Sequence, residues 1–191
     1  LLLLHGNGGA RARFRLFRER FEAEGRSDVR LHLPALPGFE GRPLPAGAPG
    51  WEAFLEPLAA ATADHPDEKW IYYGHGIGGS LLLEWAARDW AGGPAPADVW
   101  LHGPIGASLE HRFFPKLMKP RPVRRLMQRL IHASSLQPIW ERRLFQEPEA
   151  IPADLRRQFF RDYARCAAFP VFFDLITPAW YRSVQAKVGK Q

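Results

Sequence analysis

The run Trp70-Ile-Tyr-Tyr-Gly-His-Gly-Ile-Gly-Gly79, continuing into Ser80-Leu-Leu-Leu-Glu-Trp85, constrains the fold more than any other part of this 191-residue chain. A β-prone apolar run stops on glycines and passes at once into residues at helical spacing, so the chain must leave a strand through a tight turn and enter a helix. Glycine there admits positive φ and lets a strand and a helix cross with their backbones nearly touching. Units of this kind build mostly parallel sheets covered by helices.

The rest of the first half repeats the pattern. Leu1 to Leu4, Val29 to Leu33, Trp70 to Tyr73 and Val99 to Leu101 read as strands. Ala10, Phe14, Phe17 and Phe21 share one helical face, Trp51, Phe54, Leu55, Leu58 and Thr62 another, and Gly79 to Trp90 forms a third helix. After Gly103-Pro104 the strand signal stops, and prolines at 115, 120, 122, 138, 148, 152, 170 and 178 cut the remainder into short helices. The expected architecture is α/β: a partial, mostly parallel sheet of about four strands over residues 1–106, with residues 107–191 as a helical cap inserted over one end of it.

With 46% apolar residues the chain can bury a real core. No run reaches the roughly 18 to 20 apolar residues of a membrane-spanning helix. The lone Cys166 excludes an internal disulfide framework and a cysteine-based zinc site, which points to a reducing, cytoplasmic setting. No metal or cofactor is expected. The chain opens without Met on an apolar strand and closes on Ala186-Lys-Val-Gly-Lys-Gln191, so it is expected to be a fragment of a longer protein. Charge is uneven: residues 105 to 191 carry 16 Lys and Arg against 7 Asp and Glu. Between His111 and Trp140, Val123, Leu126, Met127, Leu130 and Ile131 form an apolar face opposite Arg124, Arg125 and Arg129. A solvated basic face is the plain expectation; an anionic membrane surface or an acidic partner is the sharper one. Nucleic acid is not expected, because no recognised binding motif accompanies the charge.

Three glycine-rich turns follow three strands: His5-Gly-Asn-Gly-Gly9, Leu33-Pro-Ala-Leu-Pro-Gly-Phe-Glu-Gly-Arg-Pro43, and the turn at 74–79. Two templates fit the last of them. Gly74, Gly76 and Gly79 match the dinucleotide fingerprint G-x-G-x-x-G. The same residues match small-x-nucleophile-x-small, with Gly74, Gly78 and Gly79 as the small positions and Gly76 at the apex. A dinucleotide site needs an acidic residue at the carboxyl end of the next strand. Asp98 instead precedes Val99, and His102 occupies the end that matters.

The ordered set Leu-Leu-Leu-Leu-His-Gly-Asn-Gly-Gly, Leu-Pro-Gly-Phe-Glu-Gly-Arg-Pro and Tyr-Gly-His-Gly-Ile-Gly-Gly-Ser resembles the α/β-hydrolase superfamily. On that resemblance the chain runs from the third strand to just before the seventh. It implies that the backbone N–H groups of Asn7 and Ile77 form an oxyanion hole, that His75 is a positioning residue, and that His5, Gly6 and His102 border the substrate. The acid and catalytic histidine of the superfamily fall beyond Gln191. Gly76 stands where the pattern has a nucleophile, which closes the acyl-enzyme route. Glycine also removes the strain that the apex imposes on a residue with a Cβ. Ser80 and Cys166 read as packing residues rather than replacements. Phe159, Phe160, Phe169, Phe172, Phe173, Trp180 and Tyr181 supply aromatic surface for packing and for a small apolar or acyl ligand. Three functions follow for test: a hydrolase-fold enzyme of ester-like substrates without a covalent intermediate, a non-catalytic binding protein on the same fold, and dinucleotide binding through Gly74, Gly76 and Gly79.

Overall fold

A computed structural model describes residues 1–105, 116–132 and 136–189. The boundary expected at 106/107 lies outside the described residues. Three strands, β1 (Leu2–Leu4), β2 (Ile71–His75) and β3 (Asp98–His102), form a wholly parallel sheet in that order. The register sets Leu4 beside Gly74, and His75 beside His102. The turns that leave β1 and β2 therefore emerge together at the carboxyl edge of the sheet, the usual place for a ligand in an open α/β sheet.

Val29 to Leu33, expected as a strand, contributes a single parallel bridge between Leu2 and His32. His32 N–H donates to the Leu1 carbonyl and Leu3 N–H donates to the His32 carbonyl, each at 2.9 Å. Continuing the ladder would require an N–H from Pro34, which has none.

Period-two alternation gives the sheet two unlike faces. Leu2, Leu4 and Tyr72 point into the main core, against α2 (Glu52–Ala63) and α3 (Ile77–Ala86). There Trp51, Phe54, Leu55, Leu58 and Thr62 are all buried, as the spacing predicts, and Tyr72 stacks on Trp85 at 5.2 Å. The opposite face meets a 3-10 turn (Arg11–Phe14) and α1 (Arg15–Ala23). Neither segment buries a residue, and Phe17 keeps 44% of its surface in solvent, so the expected apolar face of this segment lines a groove rather than a core.

The described second half contains α4 (Arg121–His132), α5 (Gln137–Leu144), α6 (Ala153–Ala164), α7 (Phe172–Leu175) and α8 (Pro178–Val188). None of the described helices is long and apolar enough to cross a membrane. α8 docks on α3: the Trp180 indole donates to Glu84 at 2.7 Å and stacks on Trp51 at 5.0 Å. Thr177 caps α8 by accepting from Trp180 N–H at 3.1 Å.

Arg124 corrects the expected partition of α4. It is not on the solvated face but 2% exposed, whereas Leu126 is 55% exposed. Its guanidinium donates to the carbonyls of Met118, Lys119 and Pro170 and to the Asp174 carboxylate, at 2.5 to 2.8 Å. Those carbonyls belong to segments without a ladder of their own, and a buried carbonyl without a donor is costly. One long cation satisfies all three, and it holds the Asp174 carboxyl below the usual carboxylate range. Replacing Arg124 by Met strands the carbonyls, while half-exposed Asp174 returns to water. The expected loss in urea unfolding is about 2 to 4 kcal/mol, against roughly 0.5 kcal/mol or less for Arg125→Ala on the exposed face.

Candidate functional site

The site is set by how closely α3 approaches the sheet. A Cβ at Gly78 would lie 2.5 Å from the Leu4 carbonyl oxygen, and one at Gly74 would lie 2.5 Å from Gly79 N. Only glycine at both positions lets the first turn of α3 rest on the β1 and β2 backbones. Between them Gly76 adopts φ 55° and ψ −114°, which strains any residue with a Cβ. The apex is locked from both sides. Gly76 N–H donates to the His102 carbonyl at 2.9 Å, and its carbonyl accepts from Ser80 N–H at 3.1 Å. Around the apex there is room: a Cβ on Gly76 would meet nothing nearer than Gly6 Cα at 3.5 Å.

The next residue, Ile77, opens α3, and its backbone N–H has no partner among the described residues. The same is true of Asn7 N–H in the turn after β1, where the Asn7 side chain folds back to accept from Gly8 N–H at 3.0 Å. Both residues line one cavity of about 390 Å³, whose other walls include Ile105, Phe172, Phe173 and Ile176. Unsatisfied backbone donors at a helix N-terminus can hold a carbonyl oxygen or an anion.

Of the remaining residues expected at the site, Gly6 lies beside the apex, and the three histidines line a different groove. His5, His75 and His102 border the groove on the opposite face of the sheet, with Leu1, Leu3, Phe14, Phe17, Tyr73 and Trp100. His75 and His102 pack edge to face at 5.0 Å, and Tyr73 Oη lies 3.0 Å from His102 Nδ1. Burial, Arg13 and His102 hold the His75 imidazolium below its ordinary value. Gly6 lies against the His75 ring, with no space for a Cβ. Among the described residues no histidine lines the cavity itself, and no three metal-ligating side chains converge.

Neither substitute nucleophile is poised for attack. Ser80 is fully buried and donates to the Ile105 carbonyl at 2.6 Å. Cys166 is fully buried, and burial pushes its thiol up to about 12. Asp98 pairs with Ile71 at the end of the sheet remote from Gly76, and it bonds Val99 N–H and the Trp100 indole. The acidic residue that a dinucleotide site needs is therefore not at the turn. Sequence reasoning missed Lys116 and Lys119, which line the cavity. They were visible only as members of a basic run.

His5 is 2% exposed, contacts the Gly6 carbonyl through Nδ1 at 3.1 Å, and leaves Nε2 without a partner among the described residues. Burial depresses its pKa to about 4. The unfolded chain, titrating near the ordinary 6.5, binds the proton first, so folding stability is complete above pH 6.5 and is lost as pH falls towards 4. The full linkage is on the order of 3 kcal/mol. Urea unfolding at pH 7 and pH 4.5 should show the wild type losing about 2 kcal/mol more than His5→Gln; equal losses would contradict the assignment.

The chain matches the family model described as Alpha/beta hydrolase family over residues 1–188. No curated protein matches it. Among solved structures it is similar to "Structure of MenH from S. aureus", with a TM-score of 0.60 and 16% identity, over 90% of this chain and 63% of that one. The chain thus spans less than two-thirds of that relative's length, and at this identity the likeness shows the fold. A parallel sheet with a positive-φ glycine turn feeding a helix at its carboxyl edge, matched by the family model over residues 1–188, makes this chain a member of the α/β-hydrolase family.

Proposed function

We propose that the chain is by descent a hydrolase of small ester-like or acyl compounds, that it binds such a compound in the cavity with the carbonyl oxygen on the Asn7 and Ile77 N–H groups, and that no covalent intermediate forms at residue 76. What supports this reading is that Asn7 and Ile77, whose amides have no partner among the described residues, line one largely apolar cavity beside an apex with no side chain. Two such donors stabilise charge developing on a carbonyl oxygen, and in an apolar enclosure they act at low dielectric. The helical second half, read as a cap from residue 107, supplies the apolar wall through Phe172, Phe173 and Ile176.

Covalent attack needs an oxygen or sulfur at the apex, and glycine has neither. The Ser80 hydroxyl, one helical turn on, is committed to the Ile105 carbonyl. A non-catalytic binding role is the second reading. It draws on the apex itself, where Gly76 offers no atom for covalent attack.

Gly76→Ser tests the retained machinery. The turn has space for the side chain, so the variant should fold at a cost of about 1 to 3 kcal/mol in backbone strain. A fluorophosphonate places its P=O oxygen where the carbonyl oxygen would sit. Peptide mass spectrometry should then locate an adduct at position 76 of the variant, and wild-type protein treated with an activated ester should carry no acyl group there. Because a fluorophosphonate labels only a serine that a base activates, a folded Gly76→Ser variant that stays unlabelled would count against a retained general base and for an interaction protein.

A further inference from the structure

The chemistry of the cavity rim specifies its occupant further. Among the described residues, Lys116 and Lys119 are the only charged ones lining it. Neither lysine is paired with a carboxylate among the described residues. Their side chains reach solvent, but their backbone is fixed. Met118 between them is fully buried in the core, and Lys119 N–H returns to the Lys116 carbonyl at 3.3 Å. Arg124 grips the carbonyls of Met118 and Lys119 and, on its other side, the Pro170 carbonyl and Asp174. It thereby ties the lysine-bearing segment to α7, which supplies Phe172 and Phe173 to the same cavity. Asp174, on that helix, is engaged by Arg124.

We infer that the ligand of this site is an anionic amphiphile: an apolar body seated among Ile77, Ile105, Phe172, Phe173 and Ile176, with a carboxylate or phosphate group held at the rim by Lys116 and Lys119. The inference rests on the reading that this cavity is the ligand site. It adds a substrate class that the amides of Asn7 and Ile77 alone do not dictate. Those two donors serve the carbonyl oxygen, and the lysines serve a second, permanently charged group. A neutral ligand would leave both ammonium groups unpaired beside apolar surface; an anion pairs with them while its body covers that surface.

Titration of the protein's tryptophan fluorescence with decanoate, decyl phosphate and decanol, all below their aggregation concentrations and at low salt, tests this. At least one of the two anions should bind at least tenfold more tightly than decanol, and whichever binds better identifies the charged group. The advantage should shrink on adding salt. In Lys116→Ala/Lys119→Ala the anion-to-alcohol ratio should fall close to one. In Arg125→Ala/Arg129→Ala, which removes the same charge from the exposed face of α4, it should not change. Decanol binding as tightly as both anions, or the two double variants lowering the ratio equally, would overturn the anionic class while leaving the cavity as a ligand site. If none of the three compounds binds, both that class and the cavity reading fail.

Discussion

Backbone contact between α3 and the strands beneath it is the constraint on which the rest of the structure depends. The first turn of α3 lies directly on the Leu4 carbonyl, a distance that only glycine at 78 permits, and Gly74 grants the same closeness from the β2 side. With helix and sheet this near, the chain between them can turn only through a residue at positive φ. Gly76 takes that conformation without the penalty a Cβ would bring. Ile77, the residue after that turn, lines the cavity, and its amide has no partner among the described residues. Asn7 comes alongside because parallel register sets the end of β1 next to Gly74. Site geometry is thus a consequence of strand and helix packing, and it survives the absence of a nucleophile because no part of it depends on a side chain at residue 76.

The two faces of the sheet carry different chemistry. One packs the core against α2 and α3, and at its carboxyl edge lies the cavity lined by Asn7, Ile77, Lys116 and Lys119. The other presents three histidines, Arg13 and aromatic rings around a groove of about 440 Å³. Histidines that look like site residues in the linear order are separated from the cavity by the alternation of side chains along β2 and β3: His75 follows Tyr73 onto the groove face, while Tyr72 and Gly74 face α3. The cavity itself is held in shape by Arg124, whose single guanidinium satisfies carbonyls on both of the segments that wall it.

Local chemistry was legible in the sequence; partners distant in the chain were not. The strand, turn and helix from 70 to 86 follow from glycine spacing and apolar periodicity, and so does the buried face of α2. The bridge at His32 falls short of a strand because its extension meets Pro34, a limit that appears only once the pairing partner is known. Phe17 has helical spacing but no layer over it, since periodicity reports a face without saying what covers it. Arg124 was misplaced for a related reason. Its neighbours Arg125 and Arg129 do face solvent, and nothing near it in sequence announces carbonyls at Pro170 or a carboxylate at Asp174. Lys116 and Lys119 are indistinguishable from other basic residues until Met118 between them proves to be core.

The central claim is that Asn7 and Ile77 present free amides to a ligand in this cavity. Amide ¹H–¹⁵N spectra recorded during titration with a medium-chain anionic amphiphile test it most directly. Both amides should move downfield together and saturate with a single apparent Kd, as expected for donors that acquire a strong acceptor. Shifts confined to residues of the histidine groove, or a saturating titration in which the Asn7 and Ile77 amides stay in place, would contradict it.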